Sequence, residues 1–194
     1  IVRDGQTTLK AGVEFKATDA GTAAEIGEIK AATSGIVEAT VSDKDVTTLL
    51  DATSGLVAQG ASATDKLTIA LDDTSATAAD LLALNSVTSL TVDASKVDTL
   101  SGTYSDISAV LTDEQAGEVN LGAGVDLSVS AATSSPTITE INTLVTSLRT
   151  TSGMNGKITA TLDGTVSDAQ AKTLTTDKTK NDAITVKLSD AVIA

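Results

Sequence analysis

Hydrophobic and polar positions alternate in short bursts along this chain, and most bursts run into a helix-start signal. Leu67, Ile69 and Leu71 recur with a period of two, and Thr77 follows with Asp80 three residues on. Leu90 and Val92, followed by Ser95 and Asp98, read as a second copy of the same pattern. A period of two predicts a half-buried strand. A Ser or Thr with an acidic or amide residue three positions later predicts a helix N-terminus, because the hydroxyl and the N3 side chain cap each other's backbone N–H groups. The stretch 66–107 therefore reads as one strand-to-helix module written twice.

The same signals extend in both directions. Val13, Phe15 and Ala17 form a strand pattern ahead of a Thr22/Glu25 box with Ile26 and Ile29 behind it. Val37, Ala39 and Val41 precede Ser42/Asp45 and a helix carrying Val46, Leu49 and Leu50, with Gly55 and Gly60 in the loop that follows. Thr103/Asp106 opens a helix with Ile107, Val110 and Leu111; a Thr112/Gln115 box and a short Val119–Leu121 strand come next. Leu127 and Val129 read as a strand, and Pro136 stands just before the Thr137/Glu140 box. Behind that box Ile138, Ile141, Leu144, Val145 and Leu148 are spaced by three and four, which makes the clearest amphipathic helix in the chain. Ile158, Ala160 and Leu162 predict a strand that turns at Asp163–Gly164, Ser167/Gln170 a short helix ending near Leu174, and Ile184, Val186 and Leu188 a last strand.

Strand starts recur at intervals of about 20 to 40 residues, the range in which supersecondary units stack on one another. Each unit is too small to bury its own apolar face. The expected fold is α/β, a solenoid-like or elongated stack of strand and short-helix repeats with mainly parallel strands joined by right-handed crossovers. The whole of 1–194 reads as a single elongated repeat domain with units near 12–34, 35–65, 66–86, 87–124, 125–156 and 157–194. An ordinary α/β domain is the alternative.

Composition sharpens this expectation. The chain is 41% hydrophobic, yet Phe15 and Tyr104 are its only aromatic residues. Large rings fill thick cores, so a core of Ala, Val, Ile and Leu favours thin aliphatic layers. A net charge of -13 with only 13 basic residues argues against nucleic acid or an anionic membrane as partner. No apolar run reaches the roughly 20 residues needed to span a bilayer. There is no cysteine, hence no disulfide framework. The chain begins at Ile1 and shows no signal-peptide pattern, as expected of a processed or excised segment.

The stretch DDTSATAADLLALNS, followed by VDASKVDTLSGTYSDI, resembles the Ala/Thr/Ser/Asp-rich repeats of giant cyanobacterial and other bacterial cell-surface proteins. Residues 32–55 (ATSGIVEATVSDKDVTTLLDATSG) and 158–174 (ITATLDGTVSDAQAKTL) are similar in character. The resemblance implies a secreted, extracellular structural or adhesive role with no catalytic residues to carry over. Some of those relatives carry calcium-binding nonapeptide repeats. No GGxGxD run occurs in this chain, so that calcium roll does not transfer.

Candidate chemistry is sparse. Without His or Cys the commonest general base, the thiol nucleophile and the usual transition-metal ligands are missing, and no catalytic residue is assigned. The Ser and Asp residues sit where capping and turn formation already account for them. Of nineteen aspartates, Asp72, Asp73 and Asp163 are candidate calcium ligands at strand ends, although no EF-hand spacing is present. Thr68, Thr159, Thr161 and Thr185 would give a hydroxyl-bearing sheet face, interrupted by Glu14, Lys16, Glu38 and Lys187. A stack also has two ends. Ile1, Val2 and Leu9 at one terminus, and Ile184, Val186, Leu188, Val192 and Ile193 at the other, carry no polar cap and are the expected sites of head-to-tail self-assembly into a filament, surface layer or stalk. An adhesin module binding a glycan or surface, with calcium, is the alternative.

Overall fold

The computed structural model describes residues 12–131, 135–150, 154–166, 168–175 and 182–188. It is a mixed α/β structure whose strands pair mostly in parallel. Contacts divide it into two compact units that interleave along the chain. The first comprises the described residues up to 73 with 80–96 and 116–120; the second comprises 74–79, 97–115 and the described residues from 121 onward.

The first unit holds β1 (Phe15–Lys16), β2 (Val37–Thr40) and β3 (Lys66–Thr68), hydrogen-bonded in that order and parallel. Beyond the end of β3, Ala70 makes an isolated parallel bridge to Asp93 of β5 (Val92–Ala94), which pairs with β7 (Val119–Leu121). Its helices are α1 (Ala23–Ala32), α2 (Val46–Leu49) and most of α3 (Ala78–Asn85). The second unit holds β4 (Ser75–Thr77), β6 (Thr99–Gly102), β8 (Asp126–Val129), β9 (Ile158–Val166) and β10 (Ala183–Leu188) in one five-stranded parallel sheet, with α4 (Tyr104–Ala116), α5 (Ile138–Thr150) and α6 (Asp168–Ala171). Within each of the three sheets the strands lie in the order in which the chain makes them.

One face of each inner strand is aliphatic and buried. Val37, Leu67, Leu100, Leu127, Ile158 and Leu162 are at most 1% exposed. Each such side chain contributes about 1.5–3 kcal/mol by leaving water. Three of the expected caps form as the sequence predicts, among them Thr103, whose hydroxyl accepts the Asp106 N–H at the start of α4. Thr22 and Glu25 cap each other at the start of α1, and Thr137 and Glu140 do so ahead of α5. Thr137→Ala should therefore cost about 1 kcal/mol, read as a lower urea midpoint with an unchanged m-value.

The two units contain the same three-stranded piece. Phe15 pairs with Val37 and Lys66 with Glu38 in β1–β2–β3; Leu127 pairs with Ile158 and Ala183 with Thr159 in β8–β9–β10. By these registers VEATV at 37–41 and ITATL at 158–162 occupy equivalent positions, as do Leu67 with Ile184 and Ile69 with Val186. In each copy a capped helix joins the first two strands and packs on the second, α1 on β2 and α5 on β9.

Several expectations need correction. The 66–107 stretch is not one module repeated: after β5 the chain turns, with the Asp93 carboxylate accepting from the Ser95 N–H, and enters β6 rather than a helix. Asp98 precedes that strand and passes its backbone N–H to the Thr74 carbonyl. The α2 cap is Asp45, whose carboxylate accepts from the Thr48 N–H, not Ser42. Thr112 lies inside α4, its hydroxyl donating back to the Ser108 carbonyl, so Thr112/Gln115 opens no helix. The backbone of Asp163–Gly164 continues β9 instead of turning.

Candidate functional site

The charged groups that hold each triplet together are arranged identically in its two copies. At the end of α1, Lys30 reaches the Gly35 carbonyl at 3.4 Å and the Asp65 carboxylate at 3.0 Å. Asp65 immediately precedes β3, is fully buried, and also accepts the Val37 N–H at 2.8 Å and the Ser62 N–H at 2.9 Å. At the end of α5, Arg149 donates to the Gly156 carbonyl at 2.6 Å and to the Asp182 carboxylate at 3.0 Å. Asp182 immediately precedes β10, has a fully buried side chain, and accepts the Ile158 N–H at 2.8 Å. Each carboxylate thus replaces a strand carbonyl at the start of the middle strand, and each cation neutralises it from the helix. Burial opposes ionisation of Asp65, but the Val37 N–H, Lys30 and the Ser62 N–H together outweigh it and hold its carboxyl below the usual range.

A glycine closes each device. A Cβ on Gly35 would fall 2.1 Å from the Val13 carbonyl oxygen, and one on Gly156 would fall 1.7 Å from the Val125 carbonyl oxygen. By register, Val13 and Val125 are also equivalent positions, two residues ahead of Phe15 and Leu127. The latch, the glycine and the strand contact form one repeated unit of construction.

The three candidate calcium ligands have other partners or positions. Asp72 pairs with Lys96 and, at 3.6 Å, with Lys44; the hydrogen bond from Lys96 and the charges of both lysines lower its pKa. Asp73 accepts the Val46 N–H at 2.8 Å, at the first residue of α2, just as Asp43 accepts the Ala23 N–H at the first residue of α1. Asp163 lies in β9, in the other unit. Among the described residues no group of three or more His, Cys, Asp or Glu could hold a metal ion, and no helix is long and apolar enough to cross a membrane.

Several strands end their sheets, and β1 and β10 are among them. Among the described residues β1 pairs only with β2, and β10 only with β9. Phe15 N–H donates to Ile36 and Ala17 N–H to Glu38, so the amide of Lys16 between them points to the free edge of β1. Phe15, Ile184 and Val186 are half-buried where their counterparts on inner strands are buried, and Val13 is 40% exposed. Leu188 ends β10. Ile1, Val2, Leu9, Val192 and Ile193 lie outside the described residues.

The outward face of the five-stranded sheet carries a row of hydroxyls, Thr77, Ser101, Ser128 and Thr159, in direct register. Of the residues expected to interrupt such a face, Glu14, Lys16 and Glu38 belong to the other unit, whereas Lys187 stands exposed on the outer strand β10 of this sheet. Sequence reading missed this row because β4 and β6 offer only Ala76 and Leu100 as inward signals. It missed the latches because Lys30 and Asp65 stand 35 residues apart. Comparison with protein-family models, curated proteins and solved structures yields no significant match, so the reading of this chain rests on its own residues.

Proposed function

We propose that this chain is a non-enzymatic structural repeat protein of the cell exterior, a segment or subunit of a surface layer, filament or stalk that assembles head to tail. The observation that carries the reading is the repeated triplet: a parallel three-strand piece used twice, with strands added in chain order, is the construction of a stack that can continue. That order also supports the solenoid-like form of the fold. The acidic, Thr- and Ser-rich composition suits a surface that stays soluble outside the cell, and the absence of His and Cys leaves little equipment for catalysis.

The in-register row Thr77, Ser101, Ser128 and Thr159 favours a second reading, an adhesin module whose flat hydroxyl face meets a glycan or other surface. The near-absence of aromatic rings, the usual stacking platform for sugars, weighs against it. Sedimentation and negative-stain imaging of the purified chain separate the two. Concentration-dependent polymers are expected, with a melting temperature unchanged by chelator. A monomer that binds cells or glycans would sink the structural reading, and folding lost in chelator would restore calcium to it.

A further inference from the structure

We propose that the contact between successive copies is parallel strand addition, with β10 of one chain pairing onto the free edge of β1 of the next. The inference rests on the head-to-tail reading above and names the surfaces that make the joint.

The repeated triplet supplies the argument. β8 is the counterpart of β1, and in this same chain the outer edge of β8 takes β6 as a parallel neighbour, with Leu100 opposite Leu127. Leu127 corresponds to Phe15. The free edge of β1 is therefore the counterpart of an edge already built to accept a parallel strand at the Phe15 position. β3 is the counterpart of β10; on its outer edge the Thr88 hydroxyl takes the Leu67 backbone, and just beyond its end the chain takes a parallel partner at Ala70, where Asp93 N–H donates to the Ile69 carbonyl and Leu71 N–H to the Asp93 carbonyl. The free edge of β1 thus repeats an internal edge that a parallel strand occupies, and that of β10 repeats one whose continuation takes a parallel bridge, which makes a second copy of this chain the fitting occupant.

Side-chain parity fixes the register. Ile184 and Val186 must fall on the same face as Phe15 for their half-exposed aliphatic surfaces to be covered. Val186 opposite Phe15 would set Lys187 directly against Lys16, and like charges in that position repel. Ile184 opposite Phe15 sets Thr185 against Lys16 and Val186 against Ala17. Because the two edges differ, the contact is heterologous, and one that does not close propagates as a filament.

The cysteine-free sequence allows a direct test. Lys16→Cys and Thr185→Cys chains, mixed and mildly oxidised, should yield the mixed disulfide in clear excess over either homodimer, because adjacent strands about 4.8 Å apart meet disulfide geometry. Lys16→Pro removes the edge-facing N–H while sparing the bonds from Phe15 and Ala17 to β2. It should abolish sedimenting polymer with circular dichroism and melting unchanged. Polymers that persist in a folded Lys16→Pro chain, or disulfides in statistical proportion, would overturn the joint and leave the assembly reading standing. A chain that polymerises neither whole nor without residues 1–11 would overturn both. Polymer that appears only after removal of residues 1–11 would assign the edge to the chain's own leading segment.

Discussion

Asp65→Ala is expected to cost about 3–5 kcal/mol of folding stability, a loss large enough to unfold the unit at ambient temperature. The side chain is fully buried and accepts from the Val37 N–H, the Lys30 ammonium and both the N–H and hydroxyl of Ser62. Removing it strands the strand amide and leaves Lys30, only 12% exposed, without its counter-charge. Lys30→Met should cost less, since the carboxylate keeps its remaining donors, and the double variant should be far from additive because the two share one network. The pH dependence has a definite sign. The Asp65 carboxyl sits below its unfolded value near 4, so its contribution is fully present above that value and is lost as pH falls through the folded one. Urea titrations across the acid range measure this, and Asp65→Ala should flatten that part of the profile. A variant as stable as the parent would remove the latch from the account of the fold.

The ion pairs around Asp72 look denser on paper, with lysines on two sides, yet both partners and the carboxylate are about half exposed. Exposed pairs contribute little to stability. What matters is where the charge sits relative to the start of a strand, and that depends on tertiary contact.

Local chemistry was legible in the sequence for this reason, and long-range chemistry was not. The Thr22/Glu25 and Thr137/Glu140 boxes act within one helical turn, and the alternation in Val37–Val41 and Ile158–Leu162 reports burial directly; all four read correctly. Ser95 and Asp98 carry the same three-residue spacing as a capping box, but the Asp93 carboxylate takes the Ser95 N–H first and the chain turns into β6. Ser75–Thr77 was invisible as a strand because its one inward side chain is Ala76. The likeness between residues 32–55 and 158–174 was visible as composition; only the registers of β1–β2–β3 and β8–β9–β10 turn it into positional equivalence. Of the expected assembly residues, Ile184 and Val186 lie on an outer strand and are half-buried; the strand at Phe15 was legible from its alternation, but that it ends a sheet is a matter of long-range pairing.

Gly156→Ala should be as damaging as loss of the buried carboxylate, at about 3 kcal/mol or more, for a different reason. Its Cβ would lie 1.7 Å from the Val125 carbonyl oxygen and 2.9 Å from the Asp126 amide nitrogen, and a strand backbone cannot rotate away as a side chain can. To make room β8 must withdraw from β9, weakening the Leu127 N–H bond to the Lys157 carbonyl at 2.8 Å. Gly124→Ala is the matched control. Its Cβ meets nothing within 4 Å, so the change should lie within about 0.5 kcal/mol of the parent. Equal effects at the two sites would show that chain flexibility, not close approach, is what Gly156 supplies. Gly35→Ala places the same clash at Val13, immediately ahead of β1. Displacing β1 disturbs the edge proposed to receive the next copy, whereas displacing β8 does not. Gly35→Ala should therefore lose polymer at temperatures where far-UV circular dichroism still reports folded chain, while polymer loss in Gly156→Ala should follow its melting curve.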